Sequence, residues 1–267
     1  MEKIVRVENV SFSYDKTTPF IKDVSFDIEK GSYTCLVGAN GSGKTTLARL
    51  IAGLLISDKG DVYIDGIVIN NSNLNQIRDY IGVIFQNPDN QYVATTLKDD
   101  IIFGLENHNV DPNLMDEIVE KVSKECLVNN LLNKDPGSMS GGQKQKGAIA
   151  GILALEPQIL ILDEASSMLD PLSKKEINDL ILKLKKEKNL TVISITHNPN
   201  ELLLADNIVM LDSGQLVFEG KRDDFFNMEL SKYNIELPYI VQLEKALGYP
   251  YMSEEEFFNK VGDSNEN

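Results

Sequence analysis

The first third of the chain alternates apolar and polar positions, a pattern typical of strands with one buried face. The alternation runs through "VRVENVSFSY" and "IKDVSFDI", and it recurs in "GDVYIDGIVIN" on both sides of Asp65-Gly66. An Asp-Gly pair between two such runs favours a two-residue hairpin turn. We therefore predict two strands and a hairpin in this part of the chain.

Three later runs are almost continuously apolar, which is typical of strands buried on both faces of a parallel sheet. They are "YTCLVG", "QILILDE" and "TVISITH". Helical patterns separate them: one from about Lys44 to Ala52 that Gly53 would end, a helical region at about 97–133, and "KKEINDLILKLKKEK". Strands that alternate with helices predict a parallel α/β core. A hairpin around Asp212-Ser213-Gly214 would close it.

The pattern changes after Asn227, where two short helices are predicted. "PYIVQLEKALG" has Pro238 in its first turn and Gly248 after its end, and "SEEEFF" carries Ser253 and Glu256 at the spacing of a capping box. The apolar face of the first helix consists of Ile240, Leu243 and Leu247. Helices this short are not stable alone, so we expect their apolar faces to pack on the main domain or on a partner.

Composition narrows the class of protein. The 267 residues, 42% hydrophobic and 25% charged, suffice for one large domain with an appendage. The formal net charge of −15 disfavours both a nucleic-acid groove, which needs clustered Lys and Arg, and binding to bare anionic lipid. The two cysteines, Cys35 and Cys126, form no C-x-x-C pair, which favours a reducing cytoplasm over a disulfide framework.

The sequence predicts no segment that enters a membrane. The start, "MEKIVRVENV", lacks the basic and apolar stretches of a signal peptide, and no uncharged apolar run approaches the ~18 residues that span a bilayer. If the protein acts at a membrane, we expect a protein partner to hold it there, without direct lipid insertion.

A phosphate loop is predicted between the first buried strand and the helix after it. Gly38 to Thr45 read "GANGSGKT", which fits G-x-x-x-x-G-K-[ST] in full. Glycines let the backbone curl so that successive N–H groups point at phosphate oxygens, and the helix start adds a favourable dipole. Lys44 would reach the β- and γ-phosphates, and Thr45 would offer its hydroxyl to Mg²⁺. The strand before and the helix after it make an accidental glycine turn a poor alternative.

Two carboxylates lie at the end of the next buried strand. Asp163 and Glu164 follow "ILIL", at the carboxyl edge where open α/β sheets bind ligands. Alone they would be ordinary surface carboxylates, but beside a phosphate loop Asp163 would hold Mg²⁺ and Glu164 would orient or deprotonate the attacking water. A further donor-rich helix start, "SMSGGQKQKGAIAG", also suits an anion, although one phosphate loop is already present.

Together these motifs resemble those of the ATP-binding-cassette (ABC) ATPases, along nearly the whole chain. "GANGSGKTT" is similar to their Walker A loop, "ILILDE" to Walker B, "SGGQ" to the signature motif and "SSMLDP" to the D-loop. Gln86 in "GVIFQNP" and His197 in "SITHN" resemble the Q-loop glutamine and the switch histidine. In that family the signature motif serves the ATP of the partner subunit, which would explain the second helix start.

The resemblance implies a fold and its divisions. The fold would be α/β, a P-loop NTPase with a RecA-like parallel-sheet core, an N-terminal antiparallel β subdomain, a helical signature subdomain and a small C-terminal helical extension. The ATPase domain would cover residues 1–227, with the helical subdomain at about 87–157. The extension, residues 228–267, would join two ATPase subunits.

The resemblance also implies the site. The residues expected to bind ATP are Tyr14, Gly38, Ala39, Asn40, Gly41, Ser42, Gly43, Lys44, Thr45, Thr46, Ser140, Gly141, Gly142 and Gln143. The catalytic residues would be Glu164, His197 and Gln86, and the Mg²⁺ ligands would be Thr45, Gln86 and Asp163. ATP and Mg²⁺ are therefore the expected cofactors.

Four of the implied roles have an alternative in ordinary structure. Tyr14 would stack on adenine, or it is a core or hairpin tyrosine. Gln86 would contact Mg²⁺ or water and sense a membrane partner, or it is a plain loop residue. His197 would bond the γ-phosphate, or it is a surface histidine at a strand end. Asp170 would cross to the opposite subunit, or cap the helix that begins near Pro171, and both can hold.

A narrower resemblance points to the ATPase subunits of energy-coupling factor (ECF) transporters. It rests on "VIFQNPDNQYVATTLKDDIIFGLEN" and "DEASSMLDP", whose Ser-Met resembles the first of the two subunit types. It implies ATP-driven uptake of vitamins or transition-metal ions by a peripheral protein on the cytoplasmic face of the cell membrane. The partners would be a second ATPase subunit in a heterodimer, a transmembrane coupling subunit and substrate-binding membrane subunits, with no nucleic acid.

The chain departs from the family at three places. Met139 and Lys146 stand where Leu and Arg are usual in "LSGGQKQR", and an ammonium cannot reproduce a bidentate arginine contact. Asn198 stands where an acidic residue usually follows the switch histidine. Alternatives to the ECF function are another ABC importer or a non-transport ABC ATPase.

Acidic residues cluster beside "FQNPDNQ" and suggest a contact with the membrane partner. We expect Asp89, Asp99 and Asp100 to receive basic residues of a coupling helix; the alternative is solvated loop carboxylates.

Overall fold

The structure, a computed structural model, describes residues 2–252 together with Glu256, Phe257 and Lys260. The strands in that part of the chain are β1 (Lys3–Phe12), β2 (Ile21–Glu29), β3 (Tyr33–Val37), β4 (Lys59–Ile64), β5 (Ile67–Val68), β6 (Ile81–Ile84), β7 (Ile159–Asp163), β8 (Thr191–Ile195), β9 (Asn207–Asp212) and β10 (Gln215–Lys221). The α-helices there are α1 (Lys44–Ile51), α2 (Leu74–Tyr80), α3 (Leu97–Asn107), α4 (Pro112–Glu125), α5 (Gly141–Leu153), α6 (Pro171–Lys188), α7 (Arg222–Asn227) and α8 (Tyr239–Ala246).

The N-terminal strands form a four-stranded antiparallel sheet in the order β2-β1-β4-β5. Alternate residues of β1 face the core, as the polar–apolar alternation predicts, and Val7 pairs with Phe26 on one side and Val62 on the other. Asp65 and Gly66 both have positive φ, at 48° and 77°, which is the geometry of a tight two-residue hairpin turn. The predicted strands and hairpin are confirmed.

The three apolar runs lie side by side in a second, six-stranded sheet, ordered β10-β9-β3-β8-β7-β6. The strands from β9 to β6 are parallel and β10 is antiparallel at the edge. Every residue of β3 and β8 is buried, as continuous apolar runs predict. The carboxyl ends of β3, β7 and β8 therefore meet at one edge of the sheet, and the loops that follow them can form a single site.

Each face of the parallel sheet has its own core. One face packs with α1 against the antiparallel sheet, through residues such as Leu47 and Ile161. The opposite face packs against α3 to α6, through residues such as Leu162 and Ile177. Helix α1 therefore lies between the two sheets, which fixes the phosphate loop at its start. Helices α3 to α5 occupy the stretch between β6 and β7 for which a helical subdomain was predicted.

The C-terminal segment differs in one respect from the expectation. Helix α8 forms and Gly248 follows its end with φ of 77°, but the face buried against the core carries Val241 and Glu244. Leu247 is 54% exposed, so the predicted apolar face does not pack on the main domain as a whole. The buried stripe is rotated by one residue because Val241 contacts the core. Packing on a partner stays a prediction, and the capping box predicted at Ser253 lies outside the described residues.

Candidate functional site

The phosphate loop curls between β3 and α1 through its glycines. Gly38, Gly41 and Gly43 all have positive φ, at 144°, 78° and 109°. A Cβ added to Gly38 would lie 2.2 Å from the backbone oxygen of Leu211, whereas one added to Gly41 would meet nothing within 4 Å. The loop therefore needs glycine at Gly38 for space as well as for conformation, and at Gly41 for conformation alone.

The Lys44 side chain, which is expected to bind the phosphates of ATP, is held inside the phosphate loop. Its Nζ donates to the carbonyl oxygens of Gly38 at 2.9 Å and Ala39 at 3.0 Å, and the residue is 5% exposed. Burial lowers the pKa of Lys44, while the charges of Glu164 and Asp163 oppose that shift. The ammonium is thus positioned at the loop and faces two carboxylates from the end of β7.

Two hard oxygen ligands lie together beside the loop. The hydroxyl of Thr45 donates to Oδ1 of Asp163 at 3.3 Å. Burial raises the pKa of Asp163 and the charge of Glu164 adds to this, whereas the bond from Thr45 lowers it. One hydroxyl and one carboxylate, completed by phosphate and water oxygens, fit the coordination that Mg²⁺ prefers. Among the described residues no cluster of three or more His, Cys, Asp or Glu could form an all-protein metal site.

The three candidate catalytic side chains meet at the ends of β6, β7 and β8. His197 Nε2 lies 3.4 Å from Oε1 of Glu164, and Gln86 Nε2 donates to Oε2 of Glu164 at 3.1 Å and to the hydroxyl of Ser167 at 3.2 Å. Each carboxylate oxygen of Glu164 therefore has a polar side chain beside it. Gln86 contacts Glu164 and not the Thr45–Asp163 pair, so its role as a Mg²⁺ ligand stays a prediction.

A cavity opens beside this cluster. Its volume is 450 Å³, and its walls come from the phosphate loop (38–40), the switch loop (196–199) and the C-terminal segment (234–236). Most of the lining is polar or backbone, as a phosphate chain requires. The signature residues are not among those that line it.

Tyr14 lies beside the start of α1 and is 57% exposed, so the alternative of a core tyrosine is wrong. Its hydroxyl is 2.9 Å from Oγ1 of Thr46, and its ring meets Phe12 and Phe20 edge-on, with centroids 4.9 and 5.5 Å away. These contacts fix the ring next to the phosphate loop. They are compatible with the adenine contact, which stays a prediction.

The signature motif begins α5, and its residues do not line the cavity beside the phosphate loop. Ser140 is the N-cap: its hydroxyl accepts from the Gln143 N–H at 3.4 Å, and the Gln143 side chain accepts from the Ser140 N–H at 3.1 Å. This reciprocal capping box satisfies two of the donors at the helix start. Ser140 is exposed and Gln143 is half-buried, and their contact with a second subunit's nucleotide stays a prediction.

The departures from the usual signature sequence have structural partners. Lys146 Nζ pairs with Oε2 of Glu176 at 2.6 Å and ties α5 to α6, while the Met139 side chain is buried. Lys146 thus makes a single ion pair, whereas an arginine could make two parallel hydrogen bonds. Asp170 caps α6 by accepting from the backbone N–H groups of Leu172 and Ser173, and bonds from Ser173 hold its pKa below the usual range. The capping alternative is confirmed, and its contact across subunits stays a prediction.

The three acidic residues expected to meet a coupling helix already have partners in the chain. Asp89 pairs with Lys144 at 2.6 Å. Asp99 bonds with Thr96 at the start of α3, and Asp100 accepts from two backbone N–H groups after Tyr92. Asp89 and Asp99 are nevertheless exposed, so the alternative of solvated loop carboxylates stays open, and the contact with a coupling helix stays a prediction.

Sequence reasoning missed Glu201 and Ser166, two buried polar residues whose side chains bond each other. Ser166 follows Glu164 by two residues, and Glu201 follows His197 by four. The position of Ser166 in the D-loop was the one available signal, and nothing in "NPNELLL" indicated a buried carboxylate.

The parallel sheet, the phosphate loop and the residues gathered at its edge define a P-loop ATPase with the fold of an ABC cassette. No helix in the described ranges is long and apolar enough to cross a membrane. The family profile described as ABC transporter matches residues 21–167, more than half of the chain.

Two relatives with similar sequences carry ECF names. Energy-coupling factor transporter ATP-binding protein EcfA of Malacoplasma penetrans is 45% identical over 248 residues, covering 92% of this chain and 86% of the relative. EcfA1 of Lactobacillus gasseri is 46% identical over 252 residues, covering 92% and 88%.

Solved structures with similar folds agree with the relatives. One is cbiO1 from Clostridium perfringens, described as part of the ABC transporter complex cbiONQ: it has a TM-score of 0.81 and 31% identity, covering 92% of this chain and all of that one. Another is a dimeric ATP-binding cassette in a post-hydrolysis state with ADP and Pi, with a TM-score of 0.72 and 28% identity, covering 82% and 98%. The chain therefore belongs to the ABC transporter family, within the group of ECF transporter ATP-binding proteins, and it is an ATPase.

Proposed function

We propose that this chain is one of two different ATPase subunits of an ECF importer, of the first type, and that its ATP hydrolysis drives uptake of vitamins or transition-metal ions. The supporting observation is the meeting of Gln86, Glu164 and His197 beside a complete phosphate loop, while the signature residues do not line the cavity there. In this proposal the chain's own signature donors do not serve its own phosphate loop. A second subunit would supply the signature donors there.

The residues would divide the work of phosphoryl transfer. Lys44 and the loop N–H groups bind the phosphates. Thr45 and Asp163 would hold Mg²⁺, which neutralises charge that develops on the phosphate oxygens when it is bound. Glu164 orients the attacking water or takes its proton, and His197 donates to the γ-phosphate. The 3.4 Å contact between Glu164 and His197 supports a joint role at one phosphate.

A surface beside α3 supports contact with a transmembrane coupling subunit. A cavity of 190 Å³ there is lined by Tyr92, Asp100 and Phe103 among others, and the Val93 and Phe103 side chains are exposed around it. Apolar contacts edged by acidic groups suit a basic amphipathic helix. In this arrangement a partner's basic residue would compete with Lys144 for Asp89. The protein would thus lie on the cytoplasmic face of the membrane, together with substrate-binding membrane subunits.

The C-terminal segment supports pairing with a second ATPase subunit. Tyr239 of α8 and Leu247 directly after it are exposed, while Val241 anchors the helix on the core. We propose residues 1–227 as the ATPase domain and 228–267 as the pairing extension. Another ABC importer is the alternative function, and it predicts a homodimer or other partners; a non-transport ABC ATPase predicts no membrane subunit at all. The ECF names of the relatives favour the ECF importer.

The replacement Glu164→Gln tests the ATPase assignment. The amide keeps the shape and the contact with Gln86 but cannot take a proton, so we expect retained ATP binding and loss of hydrolysis and of uptake in the assembled transporter. Glu187→Gln, an exposed position near the end of α6, is the matched control and should leave both unchanged. Retained turnover in Glu164→Gln would remove Glu164 from its role.

A further inference from the structure

Glu201 is a carboxylate buried next to the catalytic cluster, with 4% of its surface exposed. It lies in the 3₁₀ turn Pro199–Leu204, directly after the loop that carries His197. The buried hydroxyl of Ser166 donates to its Oε1, and Asn198 Nδ2 lies 3.4 Å from the same oxygen. Among the described residues no basic side chain is within ion-pair distance of Glu201. Both donors to Oε1 are therefore uncharged groups.

Burial of a carboxylate is costly unless hydrogen bonds compensate for lost water. Because leaving a buried acceptor unpaired is costly, Glu201 is suited to fix the groups that donate to it. Those groups belong to the two loops that matter for hydrolysis. Ser166 is two residues from Glu164, and Asn198 is adjacent to His197.

The loop that carries Glu164 needs such fixing. Glu164 has φ of 53°, in the left-handed region that costs a non-glycine residue about 1–2 kcal/mol. A strained residue of this kind persists only where its surroundings hold it. Its N–H donates to the Ile195 oxygen at 3.0 Å, and its own oxygen accepts from the Ser167 N–H at 3.0 Å. The bond from Ser166 to Glu201 anchors the turn between these two contacts.

The switch loop is anchored in the same way. The backbone N–H of Asn198 donates to Oγ1 of buried Thr196 at 3.0 Å, and the Asn198 side chain reaches Glu201. His197 thus lies between two held residues, although its own side chain is exposed. Glu201 accepts bonds from both loops, at the point where Glu164 and His197 approach to 3.4 Å.

We propose that Glu201 is a positioning residue for ATP hydrolysis, which holds Glu164 and His197 in register through Ser166 and Asn198. It does not touch the phosphate loop by any bond described above, so its loss should spare ATP binding. A misplacement of about 1 Å at reacting groups can lower a rate about 100-fold. The effect should therefore fall on kcat and not on KM.

The test compares Glu201→Ala, Glu201→Gln and Ser166→Ala in the full-length chain assembled with its partner subunits. We expect Glu201→Ala to lower kcat about 10- to 100-fold with KM for ATP nearly unchanged. Glu201→Gln should recover most of the rate, because its amide oxygen still accepts both bonds. Ser166→Ala should fall between them, and Glu187→Ala should match the unaltered protein.

The inference rests on the proposed catalytic role of Glu164, so Glu164→Gln is measured in parallel. If Glu164→Gln retains turnover, that role is wrong. If Glu164→Gln is inactive while Glu201→Ala keeps its kcat, only the inference about Glu201 is wrong. A parallel fall of kcat, KM and melting temperature, with no recovery in Glu201→Gln, would mean a purely structural role and overturn it. Should Glu201→Ala fail to fold, an unchanged kcat in Ser166→Ala overturns it instead.

Discussion

Ser140 has two roles that substitutions can separate: it caps α5 within the chain, and it is expected to face the partner subunit's nucleotide. Ser140→Ala removes the hydroxyl that accepts from Gln143 and should cost about 1 kcal/mol of unfolding free energy. For a domain of this size that lowers the melting temperature by about 2–4 °C. Ser140→Asp keeps an equally good N-cap, so its stability should equal that of the unaltered chain.

ATP-dependent subunit pairing and turnover should rank the two variants in the opposite order to their stability. The carboxylate that Ser140→Asp introduces would meet the partner's phosphates, and two like charges about 4 Å apart repel by about 4 kcal/mol at an effective dielectric constant near 20. We therefore expect Ser140→Asp to lose ATP-dependent subunit pairing and turnover, while the less stable Ser140→Ala retains part of both. Thermal melting measures the stability of each variant, and ATP hydrolysis by the assembled complex measures its turnover.

A control removes a cap that faces no nucleotide. Asp111 caps α4 through the Asn113 N–H at 2.9 Å, and Asp111→Ala should cost similar stability without loss of turnover. If Ser140→Asp hydrolyses ATP like the unaltered protein, or if activity simply follows melting temperature across all variants, the inference that this helix start serves a second subunit is refuted.

Three further predictions concern the chain's own site. Tyr14→Phe should keep nearly full ATP affinity because the ring remains, whereas Tyr14→Ala should weaken it, as measured by nucleotide titration; equal affinities would exclude an adenine contact. Burial raises the pKa of Asp163, so its negative charge destabilises the folded state at pH values above the usual pKa of an aspartate. Asp163→Asn should therefore raise the melting temperature of the nucleotide-free chain at pH 7, yet abolish Mg²⁺-dependent hydrolysis. A lowered melting temperature would contradict this. Gly41→Ala should fold with a cost of about 1–2 kcal/mol, while Gly38→Ala should fail to fold or to bind ATP, because its Cβ would clash with backbone; similar melting curves for both would be the contrary result.

The strands and the phosphate loop could be predicted because local patterns determine them. Alternation, continuous apolar runs and the Asp65-Gly66 pair each correspond to one backbone geometry. The meeting of Gln86, Glu164 and His197 follows once the strands are known to be parallel neighbours, since their carboxyl ends share an edge. These parts of the site could be predicted from the order of the strands and helices alone.

Other parts depended on contacts distant in sequence. The buried face of α8 is set by where Val241 meets the core, and not by the most regular apolar stripe of the helix. The Ser166–Glu201 bond joins residues 35 positions apart, and Lys144 reaches Asp89 across 55. No local pattern marks such pairs, because their partners are chosen by tertiary packing.

The most direct test of the proposed assembly is affinity purification of the full-length chain from its native membrane, followed by identification of the proteins that remain bound. We expect a second, different ATPase subunit and a transmembrane subunit in stable association, with ATP hydrolysis that Glu164→Gln abolishes. Recovery of a stable homodimer of this chain, with no second ATPase and no membrane subunit, would contradict it.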